Sequence, residues 1–418
     1  MVANLGLTAT AVSAVVTTPA TQVVNPVTTS RTQPATTIDQ TVIEKIALPV
    51  TERAQPAYYW LKRPAGHGPG QRPPLLVCLH GTDDTAQQMV HFWAALQARL
   101  PIVMAAPRGR GKGWRETDLP IIRAMLADLQ KNVSFDDRRV LLAGFSAGGA
   151  MTFQLLYAEN FPATAVAALA NYVPPPLTAE QIRAKRHIPA FYAVGMTDVN
   201  YERMRAGLEL LRSAGANVEL YRPPIGHVLD ANVAQTALDW FFDQCARQQL
   251  AIIEEASTTK NIADIALKLE RIVTQACWHE PEYVTQATDA LTRIELPGRK
   301  VLSGVKQLIA ENHQVEAIQT LNDLEDTYGQ NRIGREAQAL RTKLEADPLV
   351  QQLLELNKAQ ERADEALALY KQAQVLIAQK RLRAAADQCR RIVDQYSDTP
   401  SAKRAQYLLN LLEGRTTH

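Results

Sequence analysis

The sequence predicts an α/β fold with a mostly parallel sheet over roughly residues 47–248, followed by an all-α region over 249–418. Three observations carry this reading. Short apolar runs alternate with helix-like segments as far as Gln248, the rhythm of strands joined by crossover helices. One such run, Val140 to Gly144, passes straight into a serine between glycines and then an apolar helical pattern. Beyond Gln248, strand runs and Pro/Gly punctuation become scarce, and Ala, Leu, Glu, Gln, Lys and Arg dominate.

In chain order, residues 1–46 form a Thr/Ala/Val-rich leader with no acidic side chain before Asp39 and no basic one before Arg31. Its start, MVANLGLTATAVSAVV, has the apolar body and small-residue ending of a secretory signal but no basic n-region. Export and a plain disordered leader therefore both stay open, and with them an exported or a cytoplasmic location. A strand near Ala57 to Lys62 is expected at the sheet edge. Further strands are expected at Leu75–Leu79, Ile102–Ala106, Val140–Gly144, Thr164–Ala170, Pro189–Gly195 and Val218–Tyr221. Helices are expected at Thr85–Leu100, Ala147–Ala158, Tyr201–Ala214 and Val233–Arg247, with Phe92 and Trp93 as core residues of the first.

The pattern Gly144-Phe145-Ser146-Ala147-Gly148 has a physical purpose. A strand that becomes a helix within so few residues leaves the serine in strained geometry with its hydroxyl exposed, and flanking glycines remove the Cβ atoms that would collide. The helix N-terminus then offers N–H groups where negative charge develops in acyl transfer. Such a serine needs a base oriented by a third group. Downstream, YRPPIGHVLD places His227 in a Pro/Gly-broken loop after a strand and before the last helix of the region, while His187 precedes a strand and His279 falls in the helical half. AFYAVGMTDVNYERM presents Asp198 just past a strand end, on the same rim as Ser146; its other reading is an N-cap for the next helix. Asp230 and Asp239 are nearer His227 in sequence but belong to the final loop and helix. In PPLLVCLHGTDDTAQQM a strand runs through His80-Gly81 into a polar loop, so one oxyanion-hole N–H is expected from Thr82 and the other from Ala147, with His80 shaping the loop.

These motifs, DDRRVLLAGFSAGGAM, LLVCLHG, VGMTD and GHVL in that order, make residues 47–248 resemble a small α/β-hydrolase of the esterase type. They are similar to the polyhydroxybutyrate depolymerase, feruloyl esterase, phospholipase/carboxylesterase and dienelactone hydrolase groups. The resemblance implies the α/β-hydrolase fold and a two-step hydrolysis of a small ester, with Ser146 forming an acyl-enzyme and His227 then activating water. It departs from the pattern where Val199-Asn200 replaces the usual Val-Pro after the acid, and no long cap insertion stands out. The loop APRGRGKGWRET, Ala106 to Thr117, offers Arg108 and Trp114 to an anionic or aromatic acyl portion; a solvated basic loop with its Trp packed on the domain is the equal alternative. Two other functions compete with an esterase: a catalytically silent hydrolase scaffold in a repeat-based adaptor, and a serine peptidase.

In the helical half, LIAENHQVEAIQTLNDLEDTYGQNRIGREAQAL from Leu308 aligns with LIAQKRLRAAADQCRRIVDQYSDTPSAKRAQYL from Leu376, an offset of 68 residues. That is twice the roughly 34-residue period of a tetratricopeptide repeat, which this region resembles. The stretch between, Pro348 to Ala366, fits the pattern poorly. Such a module suggests a protein partner or self-association. A net charge of +2 from 45 Lys and Arg against 43 Asp and Glu gives no case for nucleic acid. No uninterrupted apolar run reaches the length of a spanning helix. The four cysteines, Cys78, Cys245, Cys277 and Cys389, lack metal-site spacing, so neither metal nor cofactor is expected; a Cys245–Cys277 disulfide is conceivable in an oxidising compartment.

Overall fold

A computed structural model describes residues 42–414, apart from 53–54 and 175–176; the leader expectation falls almost wholly outside the described residues. Eight strands make one sheet: β1 (Ile43–Glu52), β2 (Gln55–Lys62), β3 (Leu75–Leu79), β4 (Val103–Pro107), β5 (Val140–Phe145), β6 (Ala165–Leu169), β7 (Ala190–Ala193) and β8 (Val218–Tyr221). Their order is β1-β2-β4-β3-β5-β6-β7-β8. β1, β2 and β4 pair antiparallel, and every pair from β4 to β8 is parallel. This is the α/β-hydrolase sheet. Strands β3 to β7 are buried along their whole length, which is why they read as continuous apolar runs rather than alternating ones.

The expected edge strand at Ala57–Lys62 is not at the edge. β1 covers it, pairing Ile43 with Lys62 and Ala47 with Tyr58. β1 begins ahead of residue 47, and its short alternation at Ile46 and Leu48 merges in sequence with the Val-rich leader.

Helices α1 (Ala86–Ala94), α2 (Leu119–Asn132), α3 (Ala147–Tyr157), α4 (Ala179–Ala184), α5 (Tyr201–Ser213) and α6 (Ala231–Glu255) connect the strands. α1 starts at a Thr85/Gln88 capping box but ends six residues short of Leu100. The residues after it are spent on α6 instead: Gln97 N–H donates to Gln235 Oε1 (3.0 Å), and Arg99 pairs with Asp243 (2.8 Å). α2 fills a stretch for which the motif analysis names no element, although Leu119, Ile122, Met125 and Leu129 are buried at helical spacing.

α6 carries the chain without a break through Gln248 to Glu255. One continuous core runs from Leu48 to Cys245, and a separate apolar cluster begins at Ile253. The helical half then comprises α7 (Ile262–Thr274), α8 (Pro281–Ala310), α9 (Gln314–Tyr328), α10 (Arg332–Glu345), α11 (Pro348–Ala378), α12 (Leu382–Gln395) and α13 (Pro400–Leu412). α12 and α13 begin 68 residues after α9 and α10, and the 30-residue α8 and 31-residue α11 end 68 residues apart. The repeating unit is thus three helices, one long and two short. Pro348 to Ala366 matches no short helix because it is the first part of α11. Equivalent positions are buried alike: Ala317 and Ala385, Leu321 and Cys389, Ala337 and Ala405. No described helix is long and apolar enough to cross a membrane.

The two halves touch through a short 3-10 turn, Ala276–Trp278. Arg139, 3% exposed, bonds Asp136 (2.7 Å), the Arg72 carbonyl (3.1 Å) and the Trp278 carbonyl. Gln275 adds Oε1 to the Arg72 N–H (2.9 Å) and Nε2 to the Gly70 carbonyl (3.1 Å). All four cysteines are free thiols, so Cys245 and Cys277 do not pair; Cys245 is buried and Cys277 exposed.

Candidate active site

Ser146 directly follows β5 and precedes α3, with φ 53° and ψ −117°. That is a backbone region a side-chain-bearing residue occupies at a cost of about 1–3 kcal/mol, held by surrounding structure. Its N–H donates to the Leu169 carbonyl on β6 (2.9 Å). The glycines explain themselves in contact terms. A Cβ on Gly144 would strike the backbone of Gly148 and Gly149, and one on Gly148 would strike the carbonyls of Leu79 and His80. The elbow is therefore wedged against the end of β3, which brings the Thr82 loop beside the serine.

His227 lies between β8 and α6. Its Nε2 is 2.8 Å from Ser146 Oγ, and its Nδ1 is 2.8 Å from Asp198 Oδ2. A carboxylate only accepts, so Nδ1 carries the ring proton and Nε2 turns its lone pair to the serine hydroxyl. The Asp198 side chain is fully withdrawn from solvent, and its other oxygen accepts the Asn200 N–H (2.7 Å). Asp198 does not cap the next helix: the N-cap of α5 is Asn200. Asp230 caps α6, and Asp239 accepts from Gln235 (3.2 Å), so both alternative acids are occupied elsewhere.

The loops that carry Asp198 and His227 are tied to each other. Met196 N–H donates to the Pro223 carbonyl (2.9 Å) and Thr197 N–H to that of Ile225 (3.1 Å). Gly195 permits this approach, since a Cβ there would sit 2.6 Å from the Ile225 carbonyl oxygen. Phe145 lies against the imidazole, ring centroids 5.4 Å apart.

Thr82 and Ala147 come to one place. A Cβ built on Gly113 would lie 3.5 Å from Thr82 Oγ1 and 3.6 Å from Ala147 Cβ. Neither N–H is taken by another described residue. His80 is buried and structural: its Nε2 accepts the Gly109 N–H (3.3 Å), which leaves Nδ1–H to donate to the Gly81 carbonyl (2.8 Å).

Trp114 is half-buried, its indole N–H donating to the His80 carbonyl (2.7 Å) and its ring 4.7 Å from the His80 imidazole. It braces the loop that follows β3. Arg108 is exposed and stacks on Tyr58, 5.1 Å from the ring centroid. It lines a cleft of about 490 Å³ shared with Trp60, Asp83, Asp84 and Lys112.

Sequence reasoning missed what shapes this loop. Asp118, 1% exposed, accepts the N–H groups of Arg110 and Arg115, both at 2.8 Å, while Lys112 pairs with Asp83 (3.1 Å). An aspartate just before an apolar helical run was the available signal. Among the described residues no group of His, Cys, Asp and Glu is placed to hold a metal ion.

No protein-family model matches the chain. Over 149 residues, 33% of this chain, it is 30% identical to the bifunctional acetylxylan esterase/xylanase XynS20E of Neocallimastix patriciarum, 22% of which is covered. Over 123 residues, 27% of the chain, it is 29% identical to feruloyl esterase C of Emericella nidulans, 46% of which is covered. The chain thus spans less than half the length of the curated relatives it matches. Among solved structures it is similar to a ferulic acid esterase of Anaeromyces mucronatus determined with ferulic acid, with TM-score 0.40, 14% identity, and 47% and 88% of the two chains covered. A thermostable esterase gives TM-score 0.40 and 19% identity over 48% of this chain and 62% of that one.

Proposed function

We propose that the chain is a serine esterase that hydrolyses carboxylic esters, and that Ser146, His227 and Asp198 are its catalytic residues. The observation that carries this is the unbroken line of 2.8 Å contacts from Asp198 Oδ2 through both imidazole nitrogens to the hydroxyl of a strained serine. His227 Nε2 takes the Ser146 proton as Oγ attacks the ester carbonyl. The N–H groups of Thr82 and Ala147 receive the oxyanion. Collapse breaks the ester C–O bond, and His227 returns the proton to the departing alcohol. Water then loses a proton to His227, attacks the acyl-enzyme, and releases the acid with Ser146 restored.

Acetylated xylan and feruloyl esters are the first substrates to test, because the sequence relatives are named for them. Arg108 and the cleft beside it would meet the substrate, and Trp114 would act by holding the loop. Residues 47–248 would form the catalytic part. The helical half, 249–418, would serve interaction through its repeated three-helix unit, with a protein partner or a second copy.

Replacing Ser146 by Ala should lower turnover of short aryl esters on the order of 10⁶-fold while circular dichroism is unchanged. A phosphonate that labels active serines should mark the native chain and not this variant. Wild-type turnover in Ser146→Ala would overturn the reading.

A further inference from the structure

The junction of the two halves holds a cleft of about 100 Å³. Five cations line it, Arg72, Arg138 and Arg139 from the sheet half and Lys268 and Arg271 from α7, against one carboxylate, Asp136. Three of the five are spoken for. Arg139 bonds Asp136, Arg72 pairs with Asp137 (3.6 Å), and Lys268 pairs with Asp264 (2.6 Å) and Glu255 (3.5 Å). The guanidinium groups of Arg138 and Arg271 have neither an ion pair nor a side-chain hydrogen bond among the described residues. Two cations without counter-charges lining one cleft favour an anion there.

A second observation comes from Gln249, which lines the same cleft and is 5% exposed. Its Nε2 meets His279 Nδ1, and its Oε1 is buried without a partner. An orphaned acceptor in a buried site is destabilising and calls for a donor. His279 supplies no compensating charge. Burial, reinforced by the adjacent Arg139, pushes its pKa down to about 3, so it is neutral at physiological pH.

We propose that this cleft binds a protonated tetrahedral oxyanion, free hydrogen phosphate. Its unprotonated oxygens suit the forks of Arg138 and Arg271, and its hydroxyl supplies the hydrogen that Gln249 Oε1 lacks. A phosphomonoester, whose second pKa is about 6, is mainly an unprotonated dianion at neutral pH and lacks that hydroxyl. Sulfate carries no proton at neutral pH, and a carboxylate anion has no donor, so both leave Gln249 unsatisfied. The volume suits one such ion, being that of roughly three waters in the liquid. Arg138 belongs to the loop before β5 and Arg271 to the last turn of α7, so an ion between them would bridge the two halves.

Titration calorimetry of the full chain tests this, with inorganic phosphate, glycerol 2-phosphate, sulfate and sodium chloride at matched ionic strength. Calorimetry is preferable to a melting assay because phosphate and sulfate both stabilise folded chains nonspecifically. Saturable one-to-one binding of phosphate, at least about tenfold tighter than sulfate, supports the site, with the phosphomonoester expected at the level of sulfate. Arg271→Gln, at an exposed position, should weaken it by about tenfold or more with ester hydrolysis unchanged. Gln249→Met should bring phosphate down to the level of sulfate; if that variant does not fold, Arg271→Gln decides alone. Equal binding of phosphate and sulfate, no saturable binding, or full affinity in Arg271→Gln would overturn the proposal.

Discussion

Around Ser146 the ends of β3, β5, β7 and β8 converge on a handful of atoms, whereas in the helical half each three-helix unit packs largely on its own. The sheet half has one continuous core that tolerates a serine at φ 53° and glycines with no room for a methyl group. The helical half is held by three smaller clusters, beginning at Ile253, Leu302 and Ala366. Strain of the kind Ser146 carries is held where many contacts determine one backbone path; in the helical half the non-glycine residues at positive φ, Asn312 and Lys380, lie just past the ends of α8 and α11. The difference teaches where substitutions should be felt as lost chemistry and where as modest, separable changes in stability.

After removal of the Ser146 hydroxyl, the largest expected effect lies beside it on the rim. Asp198→Asn would present an amide N–H to His227 Nδ1, forcing the ring proton to Nε2, where it faces Ser146 and cannot accept. Ester turnover should fall on the order of 10⁴-fold with the fold intact, measured as kcat/KM on a short aryl ester. A fall of only a fewfold would mean that Asp198 does not set the tautomer.

Next comes acid sensitivity at the seam between the halves. His279 is 6% exposed, and burial first, then Arg139, lower its pKa from 6.5 to about 3; Asp136 opposes this. Between those values the unfolded chain binds a proton that the folded chain refuses, so stability falls as pH drops from 6.5 towards 3. The neutral variant His279→Gln lacks this contribution. Urea unfolding of both proteins should show the native chain losing about 2 kcal/mol relative to the variant between pH 7 and pH 5. Parallel losses would show that His279 titrates alike in both states.

A smaller effect separates the two three-helix units from each other. Pro297 interrupts α8, and Tyr328 repairs the gap: Gly298 N–H donates to its Oη (3.0 Å), which donates to the Ile294 carbonyl (3.0 Å). The equivalent Tyr396 instead donates to exposed Glu365 (3.0 Å). Tyr328→Phe strands two backbone groups and should cost about 1–3 kcal/mol, while Tyr396→Phe should cost clearly less. Equal losses would erase the distinction.

The same contrast governs what was legible beforehand. The elbow, Asp198, His227 and the Thr82 loop could be read because each needs a particular residue at a strand end, and the parallel strands because burial on both faces leaves apolar runs. β1 could not, since its alternation adjoins a leader of similar composition. Nor could the seam near Gln248: composition changes there but α6 does not stop, and the Arg139 contact with Trp278 joins residues 139 apart. The 68-residue period was visible, but its division into one long and two short helices was not, because α11 has no internal breaker to mark where a hairpin would have ended.

The smallest effect should be a gain. Gly304 lies in the last third of α8, exposed, with no atom within 4 Å of where a Cβ would stand. Its backbone is helical, so Ala fits without strain, and the unfolded chain loses freedom that glycine alone supplies. Gly304→Ala should therefore stabilise the helical half by about 0.5–1 kcal/mol, read from urea unfolding, with ester hydrolysis unchanged. The same substitution at Gly148 meets the carbonyls of Leu79 and His80, so the two variants measure one methyl group against each kind of packing. A loss of stability in Gly304→Ala would mean that this face of α8 is covered in solution, by a second copy or by another part of the chain.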